Sequence, residues 1–189
     1  PLALPEIRAI MLERIARSKL LDEDAKRLGL QPYTALESKT LGLPASKAGF
    51  KIPYFDIKGR KIQFFRYRYL EDTRSGFAQA AGTKLLRYSQ PANSPVEIYL
   101  PPLHDWQATF SDATMPIMIT EGELKAACAT KFGIPTIGLG GVWSFQAAKK
   151  GIAILPIFEE IDFNGRVVYI CYDSDGATNG GARARYGER

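Results

Sequence analysis

The sequence predicts an α/β fold in which an α+β N-terminal part precedes a parallel α/β sheet. Three observations predict it. After residue 114, short apolar runs alternate with helical stretches, the pattern of strand–helix–strand units with a parallel sheet. Before that, one amphipathic helix is followed by a run of aromatic strands. Charge also divides the chain. Residues 1–110 carry 17 basic and 11 acidic side chains, whereas residues 111–189 carry 8 and 9. We therefore expect a basic N-terminal region over 1–110 and an α/β domain over 111–189, one placed to hold a polyanion and the other to hold cations.

In the first region, residues 6–20 (EIRAIMLERIARSKL) read as a helix, with Ile7, Met11 and Ile15 at steps of four. A short second helix is capped by Asp22 and closed by Gly29. Residues 30–49, rich in Gly, Pro, Ser and Thr, read as irregular. Residues 51–70 (KIPYFDIKGRKIQFFRYRYL) predict two strands joined at Asp56–Gly59. In the second strand Ile62, Phe64, Arg66 and Arg68 share one face, and Gln63, Phe65, Tyr67 and Tyr69 the other. The cations Lys51, Arg60, Lys61, Arg66 and Arg68 interleave with these aromatics. Short strands at 84–90 and 96–100 extend that character through Lys84, Arg87 and Tyr88. Such a surface suits base stacking and phosphate tracking by a single strand of nucleic acid. Equally, it suits a small sheet with an aromatic core face and a solvated basic face. His104, beside Trp106, is read as structural, and 103–113 as a surface linker.

The second region reads as strand 115–120, helix 122–132 closed by Gly133, strand 135–139, Gly140-Gly141, helices at 144–150 and 156–161, a turn at Asn164-Gly165, and strand 167–172. All three strands are apolar enough to be buried. Ligands of parallel sheets sit at the carboxyl ends of the strands. There the first strand carries Glu121, Gly122 and Glu123, and the third carries Asp173, Ser174 and Asp175. Gathered carboxylates repel and raise one another's pKa, and a magnesium or manganese ion relieves this. The alternative is that Glu121 and Asp175 cap helices. Gly122, Gly140 and Gly141 leave room for a phosphate near the backbone, and the helix after Glu121 offers its N-terminal amides. Lys125, one turn beyond Glu121, either meets a phosphate or neutralises Glu121.

The segments ITEGELKAACATKFGIPTIGLGG and VVYICYDSDGA resemble the Toprim domain of DNA primases and topoisomerases. With FKIPYFDIKGRKIQFFRYR, KLLRYSQPANSPVEIYLPP and GLGGVWSF, roughly residues 20–178 resemble an uncharacterised Toprim-like family of phage and plasmid primases and mobile-element replication proteins. The resemblance implies a general base or acid at Glu121 and metal binding at Asp173 and Asp175, with Glu121 beside them. It implies a primase that joins nucleotides on a single-stranded DNA template, with a helicase domain or subunit as partner. A nucleic-acid-binding module with a vestigial site, or a Toprim-type nuclease, is the alternative. Bacterial primase has an acid where Lys125 stands. A Toprim sheet also continues past the D-x-D segment, and only 14 residues follow Asp175, so the sheet is expected to be incomplete at its C-terminus.

Several classes are excluded. Apolar runs at 115–119 and 151–158 are far shorter than the roughly 20 residues of a membrane helix. Residues 1–21 are interrupted by charges, unlike a signal peptide. Cys128 and Cys171 are too few for a disulfide framework and lie in no zinc-like cluster. A cytoplasmic setting in a bacterial or phage-infected cell is expected.

Overall fold

The computed structural model describes residues 1–73 and 86–173. It is a mixed α+β fold with two four-stranded sheets, one antiparallel and one largely parallel.

Helix α1 spans Leu4–Ala16 and buries Ile7, Met11 and Ile15. It begins earlier than the periodicity suggested, because Pro5 fits its first turn and Glu6 accepts the Ala3 N–H at 2.7 Å. It also ends earlier, because the backbone turns at Lys19 with φ 56. Helix α2 spans Asp22–Arg27, with Asp24 accepting the Leu21 N–H at 2.7 Å. The stretch read as irregular contains strand β1, Gln31–Tyr33, and a 3-10 turn over Glu37–Leu41. Strands β2 (Gly49–Phe55), β3 (Lys61–Thr73) and β4 (Leu86–Ser89) complete an antiparallel sheet in the order β1-β2-β3-β4. Helix α1 covers one face of it, and Arg14 donates to the Tyr69 and Leu70 carbonyls at 3.0 and 2.8 Å.

Strand β5, Ile98–Tyr99, leaves this sheet and pairs antiparallel with the second one. The expected surface linker is a helix, α3 (Trp106–Ser111). Asp105 caps it by accepting the Ala108 N–H at 3.0 Å, and Trp106 and Phe110, one turn apart, are buried. Strand β6 (Ile117–Glu121), helix α4 (Glu123–Lys131), strand β7 (Thr136–Leu139) and strand β8 (Val168–Cys171) follow. The sheet order is β5-β7-β6-β8, with β6 parallel to both β7 and β8.

Three expectations for this region are corrected. The helices expected at 144–150 and 156–161 are single 3-10 turns, Ala148–Lys150 and Pro156–Glu160, stopped at Gly151 (φ 72) and started by Pro156. Strand β8 is not buried: it has only β6 beside it, and Tyr169 and Ile170 remain largely exposed among the described residues. No described helix is long and apolar enough to cross a membrane.

Two cores result. One joins α1 and α2 with β2, β3, Tyr99 and the inner face of α4. The other gathers Ile98, Leu100, Trp106, Phe110, Ile117, Ile137 and Leu139. Helix α4 lies between them, and Gly138 makes this possible: a Cβ there would sit 3.0 Å from the Ala126 Cβ.

Candidate functional site

Parallel pairing sets the level of each strand end. Glu121 lies beside Leu139, and Thr120 lies beside Cys171. The carboxyl ends of β6, β7 and β8 therefore bring Glu121, Gly140-Gly141 and Asp173 to one edge. The Gly122 N–H donates to the Leu139 carbonyl at 2.8 Å, which fastens the start of α4 to the end of β7. Gly122 takes φ 98, a backbone region open to glycine, and this lets the chain turn from strand into helix within one residue. The Glu121 side chain is partly exposed and makes no hydrogen bond or ion pair among the described residues. Lys125 forms an ion pair with Asp173, and both side chains are about half exposed. Asp175 lies outside the described residues, as does Lys84. No group of three or more potential metal ligands occurs among the described residues.

Behind this edge is a buried ionic cluster that the sequence reading missed. Glu123, the second acid of E-G-E, is fully buried. Its Oε1 accepts from Tyr54 Oη at 2.8 Å and from Arg66 Nη1 at 2.9 Å. The same Nη1 donates to the Gly140 carbonyl at 2.8 Å. Arg66 thus links β3 to the first residue of α4 and to the end of β7. The cluster explains Gly140, since a Cβ there would lie 2.8 Å from Arg66 Nη1. Burial, then the nearby Glu123 charge, pushes the Tyr54 hydroxyl well above its ordinary pKa, so Tyr54 remains a donor at any physiological pH. Glu123 Oε2, Arg66 Nε and Tyr99 Oη are buried with no hydrogen-bond partner. One signal was available: Arg66 shares a strand face with Ile62 and Phe64, and a cation on an apolar face needs a buried acid.

The remaining cations are divided between the two faces of the first sheet. On the face of Phe64, the Tyr88 ring packs against two guanidinium groups, Arg66 at 4.9 Å and Arg68 at 4.4 Å. On the other face, Lys51 Nζ lies 4.4 Å from the centre of the Phe65 ring. Lys51, Lys61, Gln63 and Phe65 line a hollow of about 260 Å³. Burial, and then the charge of Lys61, depresses the Lys51 pKa. Two like charges with no acid between them among the described residues favour an incoming anion. Arg60 is instead occupied by Asp56 at 2.8 Å, and Arg87 is exposed on β4.

A domain of unknown function, DUF3854, matches residues 105–184. No curated protein matches the sequence. Among solved structures, the DnaG catalytic core superposes with a TM-score of 0.54 at 13% identity, covering 94% of this chain and 58% of that one. The E. coli primase catalytic core gives 0.53 at 13% identity, covering 94% and 58%. A DnaG primase catalytic domain bound to ssDNA gives 0.52 at 13% identity, covering 94% and 57%. The chain therefore has the fold of the DnaG catalytic core and spans under three fifths of the length of these structures.

Proposed function

We propose that the chain carries the nucleotidyltransferase site of a primase-type replication protein of a mobile element, acting on single-stranded DNA. The observation that supports this best is the convergence of Glu121 and Asp173 at one strand-end edge, beside the N-terminus of α4. Glu121 is the proton acceptor in this reading. As the 3′-hydroxyl oxygen of the growing strand bonds to the α-phosphorus, Glu121 takes its proton, and the bond from that phosphorus to the pyrophosphate oxygen breaks. The first amides of α4 face the phosphate oxygens that gain charge.

The donor set fits magnesium or manganese. Glu121 and Asp173 supply hard carboxylate oxygens, and Asp175 follows in sequence. The Lys125–Asp173 pair does not bar a cation, because an exposed ion pair holds weakly. A bound ion would supply charge neutralisation on the phosphoryl oxygens. Single-stranded DNA would lie against the Lys51, Lys61 and Phe65 hollow, and a helicase domain or subunit would be the companion activity.

The test is template-directed synthesis. With single-stranded template, nucleotides and magnesium or manganese, the protein should make a labelled product. Glu121→Gln and Asp173→Ala should reduce its rate by about 10²-fold or more. Equal product from both variants and the parent would rule the assignment out, and nicked plasmid instead of product would point to a nuclease. The Lys125–Asp173 pair favours a second reading, a binding module in which a lysine stands in for the cation. That reading predicts no synthesis, strand binding unaffected by Glu121→Ala, and weaker binding after Lys51→Ala with Lys61→Ala.

A further inference from the structure

We infer that the loop after β7 forms a second contact for single-stranded DNA, in which a base stacks on Trp143 and the adjoining phosphates meet Lys149 and Lys150. The inference rests on the strand-binding part of the proposed function.

The loop is a built structure. The Ser144 N–H donates to the Gly141 carbonyl at 2.8 Å, and the Ala147 N–H to the Ile152 carbonyl at 2.9 Å. The Leu155 N–H donates to the Phe145 carbonyl at 2.9 Å. Ala147 and Leu155 are buried in the second core, which anchors both arms of the loop. Against this frame Trp143 is 44% exposed. Its ring lies 6.0 Å from that of Phe145 at 42°, which backs it from within the loop. The other tryptophan, Trp106, shows the usual arrangement: it is 1% exposed and its Nε1 donates to the Pro101 carbonyl at 2.8 Å.

Trp143, Gln146, Lys149 and Lys150 border a cleft of about 320 Å³; its remaining walls among the described residues are small or apolar, and no described acid lines it. Neither lysine has an acidic partner among the described residues. An aromatic face flanked by unpaired ammonium groups is the chemistry that holds a stacked base and its backbone. A strand of singly charged phosphates fits better than a free triphosphate. Among the described residues the cleft has no carboxylate to hold a triphosphate's metal ion and no arginine to grip it bidentately. Position agrees with this. Trp143 is three residues from Gly140, at the sheet edge that carries Glu121. A base held there would bring its strand past the proposed reaction site.

Tryptophan fluorescence tests this with the whole chain and a 20-residue oligothymidylate. Because Trp106 is buried, quenching by the oligonucleotide reports on Trp143. Saturable quenching is expected in the parent and should disappear in Trp143→Phe. By fluorescence anisotropy with a labelled strand, Trp143→Leu should weaken binding about 10-fold. Lys149→Ala with Lys150→Ala should lower the salt slope by roughly 1.4. The lysine pair is exposed, so that variant stays informative if a tryptophan variant folds poorly. Unchanged affinity and salt slope in these variants, with intact binding by the parent, would overturn the inference alone. If the parent binds no oligonucleotide, strand binding fails in the proposed function, and this contact fails with it. Quenching by thymidine triphosphate without quenching by the oligonucleotide would reassign the cleft to nucleotide and overturn the inference.

Discussion

Arg66 and Glu123 show how much depends on a single pair. Arg66 donates to a carboxylate of zero exposure and to a strand-end carbonyl, from a side chain that is itself 14% exposed. Two desolvated charges are tolerable only together. Glu123→Leu would leave the guanidinium buried and unmatched, and about 3–5 kcal/mol of stability should be lost. Arg66→Met in the same chain should restore most of it, because the neutral pair no longer carries a desolvation penalty. Urea denaturation of the two single variants and the double variant measures this, and additive losses would show that the pair is not coupled. Strand alternation placed Arg66 correctly with Ile62 and Phe64, but alternation does not say what faces a strand. Read without its partner, the side chain looked like a phosphate ligand. Nor does the E-G-E spacing show that Glu123 turns inward, since an acid at the first position of a helix is ordinarily solvated and favoured by the helix dipole.

At the scale of elements, what could be read from the sequence follows the strength of the local pattern. The long strand β3 and the apolar strands β6 and β7 stand out by alternation and by composition. Helix α3 does not, because six residues give less than two turns of periodicity, although Asp105 with Trp106 and Phe110 one turn apart marks it. β1 is three residues with a central proline, too short to show alternation. Contacts between elements leave no local trace at all. Lys131 on α4 reaches α2, where its Nζ donates to Asp24 at 2.7 Å and also to the Lys19 carbonyl at 3.0 Å. Burial acts to raise the Asp24 pKa, but the Lys131 ammonium and the Leu21 N–H outweigh it and hold the carboxyl below its ordinary 3.8. A depressed acid contributes stability that is present above its unfolded value and is lost as pH falls through its folded value. Asp24→Asn should therefore cost about 1–3 kcal/mol at pH 7. The gap from the parent should narrow only below pH 3.8. Thermal melting at pH 7, 5 and 3 checks this, and a gap independent of pH would remove Asp24 as its source.

At the scale of the molecule, the charge division was visible in composition, but the mechanical unity of the two sheets was not, because it depends on α4. That helix contributes Leu124, Ala126 and Ala127 to the core shared with α1, β2 and β3. The same helix packs on β6 and β7 through Gly138. Tyr54 of β2 meets Tyr99 of β5 edge-on, with ring centres 5.0 Å apart, and Arg66 ties β3 to the end of β7. Neither sheet can lose α4 without opening a core, so the two should unfold in a single transition. Trp106 fluorescence reports the second core, and near-ultraviolet dichroism of the packed rings Tyr54, Tyr67 and Tyr69 reports the first sheet. Their urea midpoints should coincide. Ala126→Leu, which overfills a position already 3.0 Å from where a Gly138 Cβ would lie, should cost about 1–3 kcal/mol of stability and lower both midpoints together. Two separated midpoints, or a shift confined to one probe, would mean that each sheet holds its own core and that α4 belongs to only one of them.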